Sequence, residues 1–285
     1  MEHHGFYAAA DGLQLFYRDW PGAADALPVL CMHGLTRNSA DFIELAGHLA
    51  PRHRVIAPDV RGRGRSGRDP DWRNYHPAFY TGDMWRLLDE LRIGRVALVG
   101  TSMGGIMAML MAVQQPQRVA AIVLNDIGPA VDPAGLARIA AYAGVATSPR
   151  DWREAEAQMR ARYGEALPGM DDAFWHRYTR RSFREGANGA PEPDYDLAIA
   201  NRFGDDGGDA TEKLWQLFAQ IRQPLLVLRG ERSDILSAAT VARMAQLHPG
   251  LRAVEVRGRG HVPLLDEPEV LAALDALLAD LAGSA

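Results

Sequence analysis

Lysine and cysteine are nearly missing from this chain: Lys213 is the one lysine among 31 basic residues, and Cys31 the one cysteine in 285 residues. A single cysteine allows no internal disulfide framework. Its place inside the apolar run Val29-Leu30-Cys31-Met32 predicts a small core hydrophobe rather than a nucleophile. The shortage of lysine reads as a GC-rich coding bias, with arginine carrying the positive charge. Nor is basic charge in excess, since a net charge of −5 and a pI of about 6.0 exclude a broad basic face for nucleic acid. Long apolar runs are lacking, and Met1-Glu2-His3-His4-Gly5 has no basic segment leading into an apolar one. Both absences predict a cytoplasmic protein with no membrane partner. There is no H-E-x-x-H and no cysteine pair, and His48, His53, His76, His176 and His248 share no ligand spacing, so no metal is expected.

What is present is Gly100-Thr101-Ser102-Met103-Gly104, placed between the apolar run Val96-Ala97-Leu98-Val99 and a helical stretch over 106–115. In a strand, tight turn and helix of this kind, G-x-S-x-G forms a nucleophile elbow. Its serine sits in a strained backbone conformation, and side chains two residues away on either side would collide. Two further strand-like runs end in suitable partners. Leu225-Leu226-Val227-Leu228 leads to Asp234, and the run over 252–256 leads into Gly258-Arg259-Gly260-His261. Ser102, Asp234 and His261 therefore follow in the order nucleophile, acid, histidine. Asp126, which ends Val123-Leu124-Asn125-Asp126, is the alternative acid. A free serine hydroxyl is a poor nucleophile, so His261 is expected to take its proton while the acid fixes the imidazole tautomer. His33, in Val29-Leu30-Cys31-Met32-His33-Gly34-Leu35, reads as a hydrogen-bonding residue that shapes its loop rather than as a second base.

These motifs, with the second glycine Gly105 and the run Asp59-Val60-Arg61-Gly62-Arg63-Gly64-Arg65-Ser66, resemble the α/β-hydrolase superfamily in its single-chain esterase, lactonase and C–C hydrolase branch. The resemblance covers nearly the whole length. It implies an α/β fold with a mostly parallel sheet, antiparallel N-terminal strands, flanking helices and an inserted helical cap. It also implies that the backbone N–H groups of Leu35 and Met103 form an oxyanion hole. Gly62 to Gly67 satisfies G-x-G-x-x-G, but Arg68-Asp69-Pro70-Asp71 continues as loop where a dinucleotide site needs a helix; the resemblance implies a loop at the pocket rim here instead. No cofactor is expected. Dehalogenases and epoxide hydrolases of the superfamily carry aspartate at the elbow, whereas Ser102 points to acyl chemistry on a small ester or lactone, giving an acid and an alcohol. The alternatives are C–C bond hydrolysis of a ring-cleavage product, a match weakened by Val262 where an aromatic residue commonly follows the histidine, a slow-turnover receptor for a small ligand, and acyl transfer.

Two alternating segments, 6–10 and 13–20, meet at Asp11-Gly12, a hairpin signal. Six strand-like runs then alternate with helical patterns, which predicts a mostly parallel sheet covered on both faces, with reactive groups at the carboxyl ends of its strands. The alternation breaks between Asn125 and Pro224, after the sixth strand counted from the N-terminal hairpin. The expected division is a core of residues 1–128 and 216–285 with a helical cap of 129–215, whose loops fall near 186–193 and 204–209. Within the cap, Trp152, Trp175 and Tyr178, together with Phe174 and Met159, read either as walls of an apolar substrate pocket or as packing between the cap helices. Arg177, Arg180, Arg181 and Arg184 share a predicted helix face, which reads first as a solvated charged face and second as a carboxylate attractor. Nothing in the pattern specifies an oligomeric state.

Overall fold

Strands that read as unbroken apolar runs must be covered on both faces, and the computed structural model, which describes residues 1–145, 148–202 and 210–282, covers them. The strands are β1 (His3–Ala8), β2 (Gln14–Trp20), β3 (Val29–Met32), β4 (Val55–Pro58), β5 (Val96–Thr101), β6 (Val119–Asn125), β7 (Phe183–Glu185), β8 (Pro191–Pro193), β9 (Leu225–Gly230) and β10 (Leu251–Val256). Eight of them form one sheet in the order β1-β2-β4-β3-β5-β6-β9-β10. β2 runs antiparallel to β1 and β4, and every pair from β4 across to β10 is parallel. The expected hairpin and parallel sheet are both present.

Alternate residues of each strand serve opposite layers. Leu30, Met32, Leu98, Ile122, Leu124, Leu225 and Val227 pack on one side; Val29, Cys31, Ala97, Val99, Ala121, Val123, Leu226 and Leu228 pack on the other. The first layer is closed by α2 (Pro77–Glu90), α3 (Met103–Gln114), α7 (Ala210–Phe218) and α8 (Ala238–Leu247). The second is closed by α1 (Ile43–Leu49) and α9 (Pro268–Ala282). Each large side chain so covered contributes about 1.5–3 kcal/mol. Cys31 is fully buried in the second layer, and desolvation pushes its thiol pKa up. Among the described residues no helix is long and apolar enough to cross a membrane.

Between β6 and β9 lie α4 (Pro133–Ala143), α5 (Trp152–Tyr163), α6 (Asp172–Arg180) and the β7–β8 hairpin. Asp132, Asp151 and Asp171 each cap a helix by accepting from a first-turn N–H, which fixes where α4, α5 and α6 begin. Two expectations need correction. The segment 186–193 contains a strand and its partner turn rather than loop alone. The cap limit at residue 215 falls inside α7, where Trp215 and Phe218 both pack into the main core. The loop expected at 204–209 lies outside the described residues.

Candidate active site

Ser102 links β5 to α3 with φ 52° and ψ −114°, a left-handed conformation that an L-residue adopts only under constraint. Its N–H donates to the Asn125 carbonyl on the neighbouring strand at 3.0 Å. The flanking glycines are required by space: a Cβ on Gly104 would overlap the Met32 carbonyl, and one on Gly100 would overlap the Gly104 carbonyl. Gly34 lies beside the serine without such a constraint, since a Cβ there would sit 3.8 Å from Ser102 Cβ, an ordinary contact. The turn thus lifts the hydroxyl out of the sheet beside the loop that follows β3.

His261, on the loop after β10, faces that hydroxyl. Its Nε2 lies 3.1 Å from Ser102 Oγ and its Nδ1 lies 2.8 Å from Asp126 Oδ2. Asp126 is fully buried, directly beyond β6, with φ 55°. Its carboxylate also accepts from the Gly230 N–H at 2.8 Å and from Ser233 Oγ at 2.6 Å. These donors turn its second lone pair toward the imidazole.

The expectation for Asp234 is therefore corrected. Its carboxylate points away to α4, where Arg138 holds it through Nε at 2.5 Å and Nη2 at 2.8 Å, with both side chains more than a third exposed. Partial burial raises the Asp234 pKa, but hydrogen bonds and charge from Arg138 outweigh that and hold it below the usual carboxylate range. The end of β9 does reach the site, but through Gly230 and Ser233, which donate to the Asp126 carboxylate. What distinguishes Asp126 in the sequence is that it follows its strand immediately, whereas Asp234 stands four residues past the end of β9.

Met103 opens α3, so its N–H is among the first-turn donors that no intrahelical carbonyl can satisfy. Leu35 and Gly34 border the cleft in front of Ser102. His33 lies behind them, fully buried. Its Nε2 accepts from the Val60 N–H at 3.0 Å, which places the proton on Nδ1, 2.7 Å from the Gly34 carbonyl. Desolvation pulls its pKa down to about 4, against the opposing charge of Asp59. His33 therefore ties the β3 loop to the β4 loop as a neutral group, in the structural role expected for it.

Gly62 to Gly67 is loop. Gly64 and Asp196 exchange backbone hydrogen bonds with the segments opposite them, so this loop pairs with residues 194–196, and Asp59 accepts from the Ser39 and Arg65 N–H groups. Arg61 is buried among acids, reaching Asp83 with two nitrogens at 2.7 Å each, Asp69 at 2.5 Å and Asp11 at 2.7 Å.

The cleft over Ser102 and His261 is roofed by Ile139 and Tyr142 of α4, Tyr163 of α5, and Phe174, Arg177 and Tyr178 of α6. Tyr178 and Phe174 line it. Trp152 and Trp175 do not. Trp175 is buried against α5, and Trp152 carries the Arg180 guanidinium 3.6 Å above its ring. Met159 likewise packs inside the cap. Of the four arginines, Arg177 and Arg181 reach the cleft, Arg181 paired in a fork with Glu44, while Arg184 pairs with Glu192 on the small hairpin. Tyr142, Tyr163 and Arg37 were not singled out in the sequence. Arg37 is buried beside the cleft, bound to Asp41 and Ser182, with its guanidinium 4.2 Å over the Tyr178 ring.

The sequence model of the alpha/beta hydrolase fold matches residues 28–268. A 3-hydroxybutyrate-oligomer hydrolase of Cupriavidus necator is 33% identical over 269 residues, covering 91% of this chain and 90% of that protein. A 2-(acetamidomethylene)succinate hydrolase of Mesorhizobium japonicum is 30% identical over 243 residues, covering 85% and 84%. The crystal structure of an alpha/beta hydrolase from Novosphingobium aromaticivorans superposes with a TM-score of 0.91 at 42% identity, covering 98% of both chains.

Proposed function

This chain belongs to the alpha/beta hydrolase family and is a hydrolase, and within that family we propose that it cleaves a small carboxylic ester through an acyl-enzyme. Ser102 is the nucleophile, His261 the general base and then the general acid, and Asp126 the orienting acid. One observation carries this reading: a single imidazole is within hydrogen-bonding reach of the Ser102 hydroxyl on one side and of a buried carboxylate on the other. Asp126 accepts the Nδ1 proton, so the Nε2 lone pair faces Oγ and takes its proton as the oxygen attacks the ester carbon. The carbonyl π electrons move onto the oxygen. The Leu35 and Met103 N–H groups stabilise that oxyanion, each such donor contributing about 3–4 kcal/mol in comparable sites. His261 returns the proton to the departing alkoxide, and a water activated by the same imidazole releases the acid.

The aromatic roof favours an apolar acyl or alcohol group, and the likeness to a 3-hydroxybutyrate-oligomer hydrolase makes short hydroxyacid esters the first substrates to offer. The test is steady-state hydrolysis of a chain-length series of chromogenic acyl esters, simple lactones, and 3-hydroxybutyrate dimer and trimer, comparing the wild type with Ser102→Ala. Turnover lost in Ser102→Ala is the expected result. A folded wild type inert on the whole series would overturn the ester reading, and turnover that survives Ser102→Ala would overturn the nucleophile.

A further inference from the structure

Arg61 and Arg63 are both buried on one loop, yet their surroundings differ in kind. Arg61 is neutralised by Asp83, Asp69 and Asp11. Arg63 is 1% exposed, and among the described residues no carboxylate pairs with it. Its guanidinium donates from Nε to the Leu35 carbonyl at 2.9 Å, and from Nη1 to the Arg61 carbonyl at 2.7 Å and to Tyr80 Oη at 2.9 Å. Nη2 lies 3.7 Å from Met103 Sδ. The rings of Tyr75 and Tyr80 flank it at 5.5 and 5.0 Å. A buried charge without a counter-charge is costly, and neutral dipoles compensate it only in part. Such an exception to the usual pairing of buried charge is where a functional role is to be sought.

Two of these contacts fall on Leu35 and Met103, the residues whose backbone N–H groups face the developing oxyanion in the reading above. They come from different elements, Leu35 from the loop after β3 and Met103 from the first turn of α3, and no direct hydrogen bond between them fixes their spacing. We propose that Arg63 is the positioning residue of the oxyanion hole: its planar fork spans the Leu35 carbonyl and the Met103 side chain and sets the two donors at one separation. Holding the Leu35 carbonyl anchors the peptide plane that follows Leu35 and so restrains how far the residue, and its N–H with it, can shift. The guanidinium also places an unneutralised positive charge on the protein side of the hole, in a low-dielectric environment where it favours negative charge on the substrate oxygen. The backbone of the same residue bridges to Tyr195 of the inserted segment, which seats the loop without involving the side chain.

The inference rests on the proposed acyl-enzyme reading, and Ser102→Ala separates the two. The experiment measures kcat and KM on an ester turned over by the wild type, together with the rate of inactivation by a dialkyl nitrophenyl phosphate, whose phosphoryl oxygen uses the same hole when Ser102 attacks. For Arg63→Met, kcat and the inactivation rate are expected to fall together by roughly 100-fold with KM changed less than about threefold, in a variant whose near-ultraviolet circular dichroism matches the wild type. Arg63→Lys, which keeps the charge but has no planar fork, keeps the comparison available if the methionine variant does not fold. It is expected to lose at least about tenfold in kcat, again with KM unchanged. Wild-type kcat in either folded variant overturns the proposal, as does a loss confined to KM, which would assign Arg63 to seating the cap. Activity retained in Ser102→Ala would instead defeat the acyl-enzyme reading.

Discussion

Asp126 Oδ2 and His261 Nδ1 meet at 2.8 Å across 135 residues of chain, and the loop that carries Asp234 supplies the Ser233 hydroxyl that steadies the carboxylate. The carboxylate that meets the imidazole therefore belongs to the strand next to Ser102, and the neighbouring strand end acts in support.

Replacing Asp126 by asparagine preserves size but removes the charge and lets the amide stabilise the wrong imidazole tautomer. Asp126→Asn is expected to lower kcat by roughly 10³–10⁴-fold with KM little changed. Asp234→Asn breaks only a half-exposed pair with Arg138, worth less than about 1 kcal/mol, and is expected to leave kcat within about threefold. Steady-state kinetics on both variants check this, and the reverse pattern would restore Asp234 as the acid.

The inserted segment separates residues that hold it together from residues that line the cleft. Trp175 is buried between α5 and α6, so Trp175→Ala is expected to cost about 3–5 kcal/mol of local packing and to appear as a lower melting temperature. Tyr178 faces the cleft, with its ring on Arg37 and stacked on Phe174 at 5.3 Å. Tyr178→Ala is expected to raise KM and broaden the accepted acyl length more than it lowers the melting temperature. Calorimetry and a chain-length series on the two variants distinguish them.

The same contrast shows what could be read from sequence. The elbow was legible because its demands are local: Gly100 and Gly104 are fixed by overlaps within a few residues of Ser102 or with the adjacent strand. The sheet was legible because strands buried on both faces have an unmistakable apolar pattern, as in residues 119–125. Which aspartate meets His261 was left between two, since β6 and β9 both lead to one and the choice depends on which the His261 loop reaches in space. In the cap, Trp175 and Tyr178 are three residues apart and share a helix side. Helical spacing states that they are neighbours, but not which of them α5 covers. The small β7–β8 hairpin escaped because strands of three residues, one bounded by Pro191 and Pro193, read as loop.

Arg61 tests the cost of opening a buried charge cluster. Its guanidinium is the shared counter-charge of Asp69 and Asp83, both nearly inaccessible to water. Arg61→Met leaves those carboxylates buried and unpaired, and is expected to destabilise the fold by roughly 3–5 kcal/mol. The loss should be largest at neutral pH, where carboxylates of the unfolded chain are fully ionised, and smaller near pH 4, where they begin to take up protons. Urea unfolding at the two pH values measures it. Equal losses at both would indicate that the arginine acts through packing of its stem.

The acid limb of stability has a contribution that can be assigned to His33. The folded imidazole protonates only near pH 4, because burial removes water from it, whereas in the unfolded chain it protonates near 6.5. Between those values the unfolded state binds more protons, so stability rises with pH across this window. The contribution is complete above about pH 6.5 and is lost as the pH falls toward 4, up to roughly 3 kcal/mol for a fully buried group. Asp194 acts in the opposite sense. Burial, reinforced by the charge of Asp59, raises its pKa to about 6, so its ionisation weakens the fold as the pH rises from about 4 to 6. The two slopes overlap, and the wild-type curve alone cannot separate them. The difference between wild type and His33→Asn isolates the histidine, because asparagine can both donate and accept but does not titrate. Unfolding free energies at pH 7.5, 6.0 and 4.5 are expected to converge between the two proteins as the pH falls, and a constant difference would show that His33 does not titrate as a buried neutral group.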